Sequence, residues 1–530
     1  MSHGSPAFAA PFTSAVAMTM EEKIGQMLLV GFQGLEAPDH VLDWLARGRV
    51  SGVILFARNV ESPAQLARLC DSIHRAAKYP VLIAIDQEGG TVARLRDGFS
   101  ESPGALALAA IRDDRAGHVE RASAVLAAEM RALGINWVFA PSLDLLHNTE
   151  NPTLGTRSFG TDPAVVGELG AAAVKGFQSE GVAACPKHFP GLGATAIDTH
   201  LALPRLTVSK DELLKTDVLP YRDAVHAGTA SIMTTHTIFS TLDTDYPATL
   251  SPILIRDLLR GELGFDGVVT TDCLEMKAIA DHYGPGESAV LGALAGVDIL
   301  LFSHTRAMQE QAYEGLLRAY ESGRLPTERI EEAVRRVAAL KAAYGIKLPL
   351  DPSSVLSAEH QAIVGAAAQA AVTRLYGELP PMHEGRVLVI EFASFHESNV
   401  LDAGGETGLN KRLHAQLPSA RTVTLPNSDI DPNDVSRALD AAGQADVVVL
   451  ATRNACWNAE QNEIAGALLR QSKQTVLLCL RTPFDAETLP LVQAAYCTFG
   501  DSAPSLDAAA ELLAGKLTPN GQLPVALKLQ

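Results

Sequence analysis

The amino-acid sequence predicts an α/β protein in which a TIM-like (β/α)₈ barrel is followed by a smaller α/β sandwich domain. Short apolar runs rich in β-branched residues alternate with amphipathic stretches, which is the pattern of parallel βαβ units. Each run ends in polar residues, and such barrels carry their functional side chains at the carboxyl ends of their strands. The chain has 530 residues, which is too many for one ordinary core, so two domains are expected.

The first domain is predicted to contain strands and helices in alternation. A helix is predicted at residues 20–29, and amphipathic helices are predicted between strands, for example at 121–133 and 211–226. An open doubly wound sheet is the structural alternative, but it more often has a glycine-rich phosphate loop after its first strand, and none is seen here. The predicted strands lie at residues 52–56, 81–85, 137–140, 181–185, 231–233, 267–269 and 297–302.

The domain boundary is predicted near residue 350, which gives domains 1–350 and 351–530. A long helical pattern at 327–344 precedes a linker at 345–349. The second domain opens with a predicted helix at 358–376. A second series of apolar runs then predicts a smaller α/β sheet, with strands at residues 386–391, 422–425, 445–451, 474–480 and 494–498.

The composition excludes several classes of protein. The net charge is −18, from 43 basic and 61 acidic residues, which argues against nucleic acid as a partner. Six scattered cysteines form no Cys-x-x-Cys pair, and no His-Glu-x-x-His motif occurs, so neither a metal nor a cofactor is expected. No apolar run is long enough to span a membrane, and the first 20 residues lack a basic start. We therefore expect a cytoplasmic protein with reduced thiols.

The most informative stretch runs from residue 187 to residue 200, Lys-His-Phe-Pro-Gly-Leu-Gly-Ala-Thr-Ala-Ile-Asp-Thr-His. It follows a predicted strand, and its proline and glycines require a loop. Asp198 and His200 are two residues apart, and this spacing lets a carboxylate orient an imidazole as an acid/base. An ordinary polar surface loop is the alternative for the Asp-x-His pair taken alone.

This stretch resembles the signature of glycoside hydrolase family 3, in the branch of bacterial β-N-acetylglucosaminidases that recycle peptidoglycan. That branch typically reads Lys-His-Phe-Pro-Gly-His-Gly and then Asp-Ser-His. The present chain departs from it at Leu192, where His or Arg is usual, and at Thr199, where Ser is usual. Leu192 in place of the usual His or Arg could alter the loop or the outer part of the substrate site. Thr199 keeps the hydroxyl group of the usual Ser. The resemblance covers residues 20–348, with four motifs in the expected order.

The resemblance implies that Asp272 is the nucleophile of a retaining glycosidase. Asp272 follows the predicted strand 267–269 and stands in the text Thr-Thr-Asp-Cys-Leu-Glu-Met. Such an enzyme needs a carboxylate that forms a covalent glycosyl-enzyme. The alternative is that Asp272 caps the next helix, since Asp favours that position. Glu275 is expected to be an ordinary helix residue.

The resemblance also implies the remaining roles in the site. His200 is the expected acid/base, with Asp198 as its orienting partner. An imidazole in this role does not repel an anionic aglycone or acceptor after the leaving group departs, whereas a carboxylate would. The expected substrate-binding residues are Asp86, Arg94, Arg157, Lys187 and His188. Glu88 is expected to be structural, as are His236 and His304, although either histidine could line the pocket.

The expected activity is therefore that of a retaining exo-β-N-acetylglucosaminidase acting on peptidoglycan-derived fragments. A phosphorylase that uses phosphate as acceptor and a β-glucosidase of the same family are the enzymatic alternatives. A catalytically silent sugar-binding protein is the alternative of another class, and Asp272, Asp198 and His200 argue against it because binding alone needs no nucleophile. The expected partner is a carbohydrate, while the oligomeric state and the role of the second domain stay open.

Overall fold

The computed structural model describes residues 18–149, 152–195, 203–383, 385–393, 408–471 and 474–529. Contacts between these residues divide them into two compact units. The first unit is the described chain up to Gln87 with Leu126–Asn148 and Asp162–Val355. The second unit is the described part of Glu88–Val125, Thr149–Thr161 and Leu356–Gln530. The boundary near residue 350 stays a proposal.

Eight parallel strands make up the main sheet of the first unit in the described part of the chain. β8, β1, β2, β3, β4 and β5 are neighbours in that order, and β6 pairs with β7. The strands are β1 Leu28–Val30, β2 Gly52–Leu55, β3 Leu82–Ile85, β4 Trp137–Val138, β5 Ala183–Ala184, β6 Ser231–Thr234, β7 Val268–Thr271 and β8 Leu300–Phe302.

Backbone hydrogen bonds join these two groups of strands on both sides. The amide of Phe189, just after β5, donates to the carbonyl of Met233 in β6 over 2.8 Å. The amide of Ile299, just before β8, donates to the carbonyl of Val269 in β7 over 3.1 Å. The eight strands thus form one hydrogen-bonded circuit, and the (β/α)₈ barrel stays a prediction. The predicted α/β class, with its parallel strands, is confirmed.

Buried side chains from alternate strand positions pack together in the first unit. Leu29, Ile54 and Leu82 belong to one apolar cluster there, with Trp137 and Met233. The indole Nε1–H of Trp137 donates to the Ser231 hydroxyl over 2.8 Å, so its one polar atom is paired inside the core. Enzymes with parallel strands in such a circuit bind their ligands at the carboxyl ends of the strands.

A second sheet forms the centre of the second unit. Its order is β9-β14-β13-β12-β10-β11, and β9 is antiparallel to its neighbour while the other pairs are parallel. The chain order reverses between β10 and β12, which is where open α/β sheets tend to bind ligands. The strands are β9 Thr373–Gly377, β10 Val387–Phe392, β11 Arg421–Leu425, β12 Val447–Thr452, β13 Gln474–Cys479 and β14 Ala494–Cys497.

Helices connect the strands of both sheets. None of those in the described residues is long and apolar enough to cross a membrane. Residues Ile253–Glu262 form a π-helix. The α-helices are Met20–Gly25, Asp39–Ala46, Pro63–Ala76, Ala105–Ala110, Arg115–Ala132, Pro163–Ser179, Lys210–Lys215, Leu219–His226, Lys277–Ala280, Pro285–Ala295, Arg306–Glu321, Thr327–Ala343, Ala358–Ala371, Leu409–Gln416, Pro432–Gln444, Ala459–Leu469, Asp485–Thr488 and Ala503–Leu513.

Three predicted helices were wrong in extent. The helix predicted at 20–29 ends at Gly25, and β1 begins three residues later because it pairs with β8. The helix predicted at 358–376 ends at Ala371, since Thr373–Gly377 pairs with β14 as the edge strand β9. The stretch 211–226 is two helices, Lys210–Lys215 and Leu219–His226.

Lys341 is a buried amine on the helix Thr327–Ala343. Its side chain is 4% exposed, and its Nζ donates to the Oε1 atom of Gln26 over 2.6 Å. Gln26 is neutral, so this hydrogen bond does not offset the cost of burying an ammonium group. Burial lowers the pKa of Lys341 to about 7.

We expect Lys341 to make the stability of the protein depend on pH in the alkaline range. Between about pH 7 and the ordinary lysine pKa of 10.5, the unfolded chain binds the proton that folded Lys341 releases. The contribution of Lys341 to the free energy of unfolding therefore rises with pH between about pH 7 and pH 10.5, and it is lowest below pH 7. Lys341→Met should flatten the rise in melting temperature with pH. Lys347 is exposed, and Lys347→Met should leave that rise unchanged. Equal slopes in all three proteins would contradict this account.

Candidate active site

Charged side chains follow three strands of the first unit where those strands end. Asp86 comes directly after β3, Lys187 follows β5, and Asp272 comes directly after β7. Because the strands are parallel members of one circuit, their carboxyl ends lie at the same side. The Nζ atom of Lys187 lies 2.6 Å from the Oδ1 atom of Asp86, with 3% and 16% of the two side chains exposed. This ion pair fixes the Asp86 carboxylate at the rim of the circuit.

The pKa of the buried Cys185 thiol responds to the charges at these strand ends. Burial, the largest effect, raises the pKa of Cys185 to about 12. The positive charge of Lys187 acts in the opposite direction, and the negative charges of Asp86 and Asp272 raise the pKa further. The charges of Lys187, Asp86 and Asp272 therefore all affect the Cys185 thiol, as expected of residues that share one end of the circuit.

Asp272 does not cap the helix that follows it. Its Oδ1 atom accepts a hydrogen bond of 2.7 Å from the amide of Cys273, and the residue is partly exposed. The next helix begins at Lys277, and its N-cap is Met276. The alternative that Asp272 is an N-cap is therefore wrong. This hydrogen bond to one oxygen orients the carboxylate of Asp272.

Asp144 holds the loop that begins at Lys187, and the sequence did not reveal this role. Asp144 is fully buried, and its Oδ2 atom lies 2.6 Å from Nδ1 of His188. Its Oδ1 atom accepts a hydrogen bond of 2.7 Å from the amide of Leu192. Because the carboxylate accepts, Nδ1 of His188 carries the proton and Nε2 faces away from Asp144. The only signal in the sequence was an aspartate after a predicted strand.

The glycines of this loop are required by close approach. A Cβ atom on Gly193 would lie 1.6 Å from the carbonyl oxygen of Leu145. Gly191 has a φ of 149°, and a Cβ atom there would lie 2.6 Å from the Cβ of Asp217. Leu192 contributes its backbone amide to this packing, so the departure from the usual His or Arg does not remove the contact with Asp144.

A second pair that the sequence did not reveal lies beside Gly191. The Nε2 atom of His147 is 3.1 Å from the Oδ2 atom of Asp217, and about a third of the His147 side chain is exposed. The hydrogen bond to Asp217 raises the pKa of His147 despite partial burial. The two residues are 70 positions apart, which is why no local pattern could indicate the pair.

Arg94 and Arg157 belong to the second unit. The guanidinium of Arg157 makes two hydrogen bonds to the carboxylate of Glu88, of 2.9 and 2.8 Å, and a third to the carbonyl of Thr153. Glu88 therefore has a partner in the fold, as its predicted structural role requires. Arg94 is buried, with 6% of its surface exposed.

The other polar residues near the strand ends have structural contacts. The ring nitrogens of His236 lie 2.8 Å from the Thr249 hydroxyl and 2.9 Å from the carbonyl of Cys273. Glu275 is not a helix residue, since it precedes the helix and accepts hydrogen bonds from the amides of His304 and Thr305. His304 is exposed and its ring lies beside that of Phe56.

Asp198 and His200 lie outside the described residues. The structure therefore places Asp86, Lys187, His188 and Asp272 at one end of the first unit and leaves the proposed acid/base pair as a prediction. Within the described ranges, no group of three or more histidine, cysteine, aspartate or glutamate side chains is arranged to hold a metal ion.

Comparison with known proteins places the chain in a family of glycoside hydrolases. Residues 19–340 match the Glycosyl hydrolase family 3 N terminal domain. The chain belongs to glycosyl hydrolase family 3, and it is a glycoside hydrolase.

Several relatives of the chain carry related names. A glycoside hydrolase family 3 β-N-acetylglucosaminidase from Paenibacillus sp. str. FPU-7 is 37% identical with a TM-score of 0.91, covering 97% of this chain and 100% of that one. Beta-hexosaminidase A of Pseudoalteromonas piscicida is 29% identical over 97% of this chain and 98% of that protein. A beta-hexosaminidase of Thiobacillus denitrificans is 40% identical over 52% of this chain and 77% of its own.

We expect Asp144→Asn to loosen the loop that carries Lys187 and His188. The amide keeps the size of the side chain but can accept with only one of its two polar atoms, so a buried donor of the loop loses its partner. The free energy of unfolding should fall by about 1–3 kcal/mol. Chemical denaturation measures this change, and the exposed Asp113→Asn serves as the control. Equal stability of the two variants would show that Asp144 does not hold the loop.

Proposed function

We propose that this protein is an exo-acting, retaining β-N-acetylglucosaminidase that removes terminal β-linked N-acetylglucosamine. The observation that carries the proposal is the position of Asp272, partly exposed at the end of β7 with one carboxylate oxygen held by the amide of Cys273. A retaining glycosidase needs a carboxylate of this kind next to the anomeric carbon. The names of the two full-length relatives support the choice of sugar.

The first chemical step is a displacement at the anomeric carbon. An oxygen of Asp272 forms a bond to that carbon while the glycosidic carbon–oxygen bond breaks and the electron pair leaves with the aglycone oxygen. His200, oriented by Asp198, gives its proton to this oxygen. The products are a covalent glycosyl-enzyme ester and the released aglycone alcohol.

The second step returns the enzyme to its starting state. Neutral His200 takes a proton from water, whose oxygen attacks the anomeric carbon and displaces the Asp272 carboxylate. Two displacements at the same carbon give a sugar with the β configuration of the substrate. The reaction needs no cofactor, because the acid, the base and the nucleophile are all side chains of this chain.

The remaining predicted residues orient the sugar. A carboxylate such as Asp86 accepts hydrogen bonds from two neighbouring hydroxyls, and the ion pair with Lys187 keeps it ionised and in place. His188, fixed through Nδ1 by Asp144, directs Nε2 away from that carboxylate and toward a ligand. Arg94 and Arg157 are proposed to contact the sugar as well.

We further propose that the substrates are peptidoglycan-derived fragments and that the protein acts in the cytoplasm. The substrate class rests on the resemblance of residues 187–200 to the peptidoglycan-recycling branch. The compartment rests on the cysteines, since all six are free thiols and five of them are buried.

A fluorinated sugar that slows the second step should attach covalently to Asp272. The fluorine destabilises the charge that develops in both displacements, so the ester accumulates and can be located by peptide mass spectrometry. Asp272→Asn should lose nearly all turnover because an amide cannot form the ester.

Glu275→Gln is the matched control for this experiment, since Glu275 lies three residues away and accepts only structural hydrogen bonds in the described chain. It should keep the label on Asp272. A label on Glu275 or Glu88, or none on an active enzyme, would overturn the assignment of the nucleophile.

His200→Ala should affect poor leaving groups far more than good ones. A positioned general acid supplies about two to four orders of magnitude when the departing oxygen needs a proton. Cleavage of a natural disaccharide should therefore fall by that factor, while the first step on a nitrophenyl glycoside is largely retained. Asp198→Asn should give a milder form of the same pattern. Equal losses on both substrates would assign His200 a role in holding the loop.

A further inference from the structure

His236 is a buried imidazole next to the loop that carries Asp272. It follows β6 by two residues, and 1% of its surface is exposed. β6 pairs with β7, and the amide of Asp272 donates to the carbonyl of Thr234 over 3.3 Å. The end of β6 and the Asp272 loop are therefore neighbours within the first unit. A ring buried to this extent does not contact a substrate directly, so it acts on the reaction through its neighbours.

One ring nitrogen of His236 holds the backbone of Cys273. Its Nε2 atom lies 2.9 Å from the carbonyl oxygen of Cys273. A carbonyl oxygen can only accept, so Nε2 carries a proton and donates it. The other nitrogen, Nδ1, lies 2.8 Å from the hydroxyl of Thr249, which can donate or accept. Two hydrogen bonds thus fix the orientation of the ring in either case.

The hydroxyl of Thr249 is in turn anchored at the end of β6. It lies 2.9 Å from the hydroxyl of Thr234 and 2.9 Å from the carbonyl oxygen of Thr235. All three threonines are buried, with 2% or less of their surface exposed. Buried polar groups that have found their partners are costly to separate. The imidazole of His236 is therefore held as a fixed part of this strand end.

Cys273 is the residue through which His236 reaches the nucleophile. Its carbonyl accepts from His236, and its amide donates to the Oδ1 atom of Asp272 over 2.7 Å. The amide of Met276 donates to the same carbonyl over 3.1 Å. The direction of the Cys273 amide depends on the dihedral angles of that residue, and anchoring its carbonyl restricts them. Fixing the carbonyl therefore fixes the amide that orients the Asp272 carboxylate.

We propose that His236 is a positioning residue that orients the Asp272 carboxylate through the backbone of Cys273. This inference rests on the proposed function, in which Asp272 attacks the anomeric carbon. Such an attack requires reacting atoms that are about 3–3.5 Å apart and aligned, and a displacement of about 1 Å costs about 100-fold in rate. His236 therefore acts on the rate of ester formation and not on the binding of the sugar.

Two variants that differ by one methylene group test this role. Gln at position 236 brings its amide nitrogen close to the place of Nε2, so it can still donate to the carbonyl of Cys273. Asn is shorter and reaches only Thr249. We expect attachment of the fluorinated sugar to Asp272 to slow about 100-fold in His236→Asn, and by no more than about threefold in His236→Gln. Labelling rates at several sugar concentrations should show an unchanged dissociation constant in both variants.

The dependence on the leaving group distinguishes positioning from acid catalysis. A displaced nucleophile slows the first step whatever the leaving group is, and kcat/KM reports that step. His236→Asn should therefore lower kcat/KM by a similar factor on a nitrophenyl glycoside and on a natural disaccharide. His200→Ala, by contrast, should affect the disaccharide far more.

His74 supplies a matched control within the first unit. Its Nε2 atom lies 2.7 Å from the carbonyl oxygen of Gly134, and both residues precede a strand instead of following one. His74→Asn also removes an imidazole contact with a carbonyl, so it should lower the free energy of unfolding. The labelling rate and kcat/KM should stay at their wild-type values. This control separates a loss of stability from a loss of positioning.

Thr249→Val addresses the same question without changing the imidazole. Valine has nearly the shape of threonine but no hydroxyl, so His236 loses one of its two hydrogen bonds and stays in the core. Labelling of Asp272 should slow by a smaller factor than in His236→Asn, again with an unchanged dissociation constant. This measurement decides the question even where the His236 variants do not fold, and an unchanged rate would overturn the inference.

Three other results would also overturn it. They are equal labelling rates in His236→Asn and the wild-type protein, equal losses in the Asn and Gln variants, and a weaker dissociation constant at an unchanged rate. A wild-type protein that is labelled at a residue other than Asp272 would instead remove the proposed function, and this inference with it. Wild-type labelling of Asp272 without a difference among the variants removes the inference alone.

Discussion

The buried carboxylate of Asp144 is the interaction on which the candidate site depends. It lies after β4, yet it accepts hydrogen bonds from the loop after β5, through Nδ1 of His188 and the amide of Leu192. A fully buried charge is stable only when its oxygens are satisfied, so the loop cannot move away without a large cost. This connection fixes His188 and, one residue before it, Lys187, whose ammonium group in turn holds Asp86.

The second unit obeys a similar constraint around Asp501. Its carboxylate receives the guanidinium groups of Arg453 and Arg481 at 2.9 and 3.1 Å, and these charges lower the pKa of Asp501 to about 2 although burial opposes them. Arg453 also reaches Glu391 at the end of β10. Charges of both signs therefore join the carboxyl ends of neighbouring strands in the second sheet.

Most strands could be predicted from the sequence because each is a local apolar run that ends in polar residues. β1 and β9 were missed, since each follows a helix-forming stretch closely and is specified by a strand far away in the chain. Asp272, Asp86 and Lys187 could be selected as candidates because they stand directly at strand ends or in a motif. Asp144 was not, because its partner His188 is 44 residues away and nothing local distinguishes it from a loop aspartate.

The central claim is that an ester on Asp272 forms and is then hydrolysed with net retention. Proton NMR of the first sugar released from an aryl β-N-acetylglucosaminide, in phosphate buffer and before mutarotation, tests this most directly. Two inversions at one carbon, with water as the final acceptor, predict free β-N-acetylglucosamine as the initial product. Release of the α-anomer would contradict the covalent route, and accumulation of the sugar 1-phosphate would show that phosphate rather than water is the acceptor.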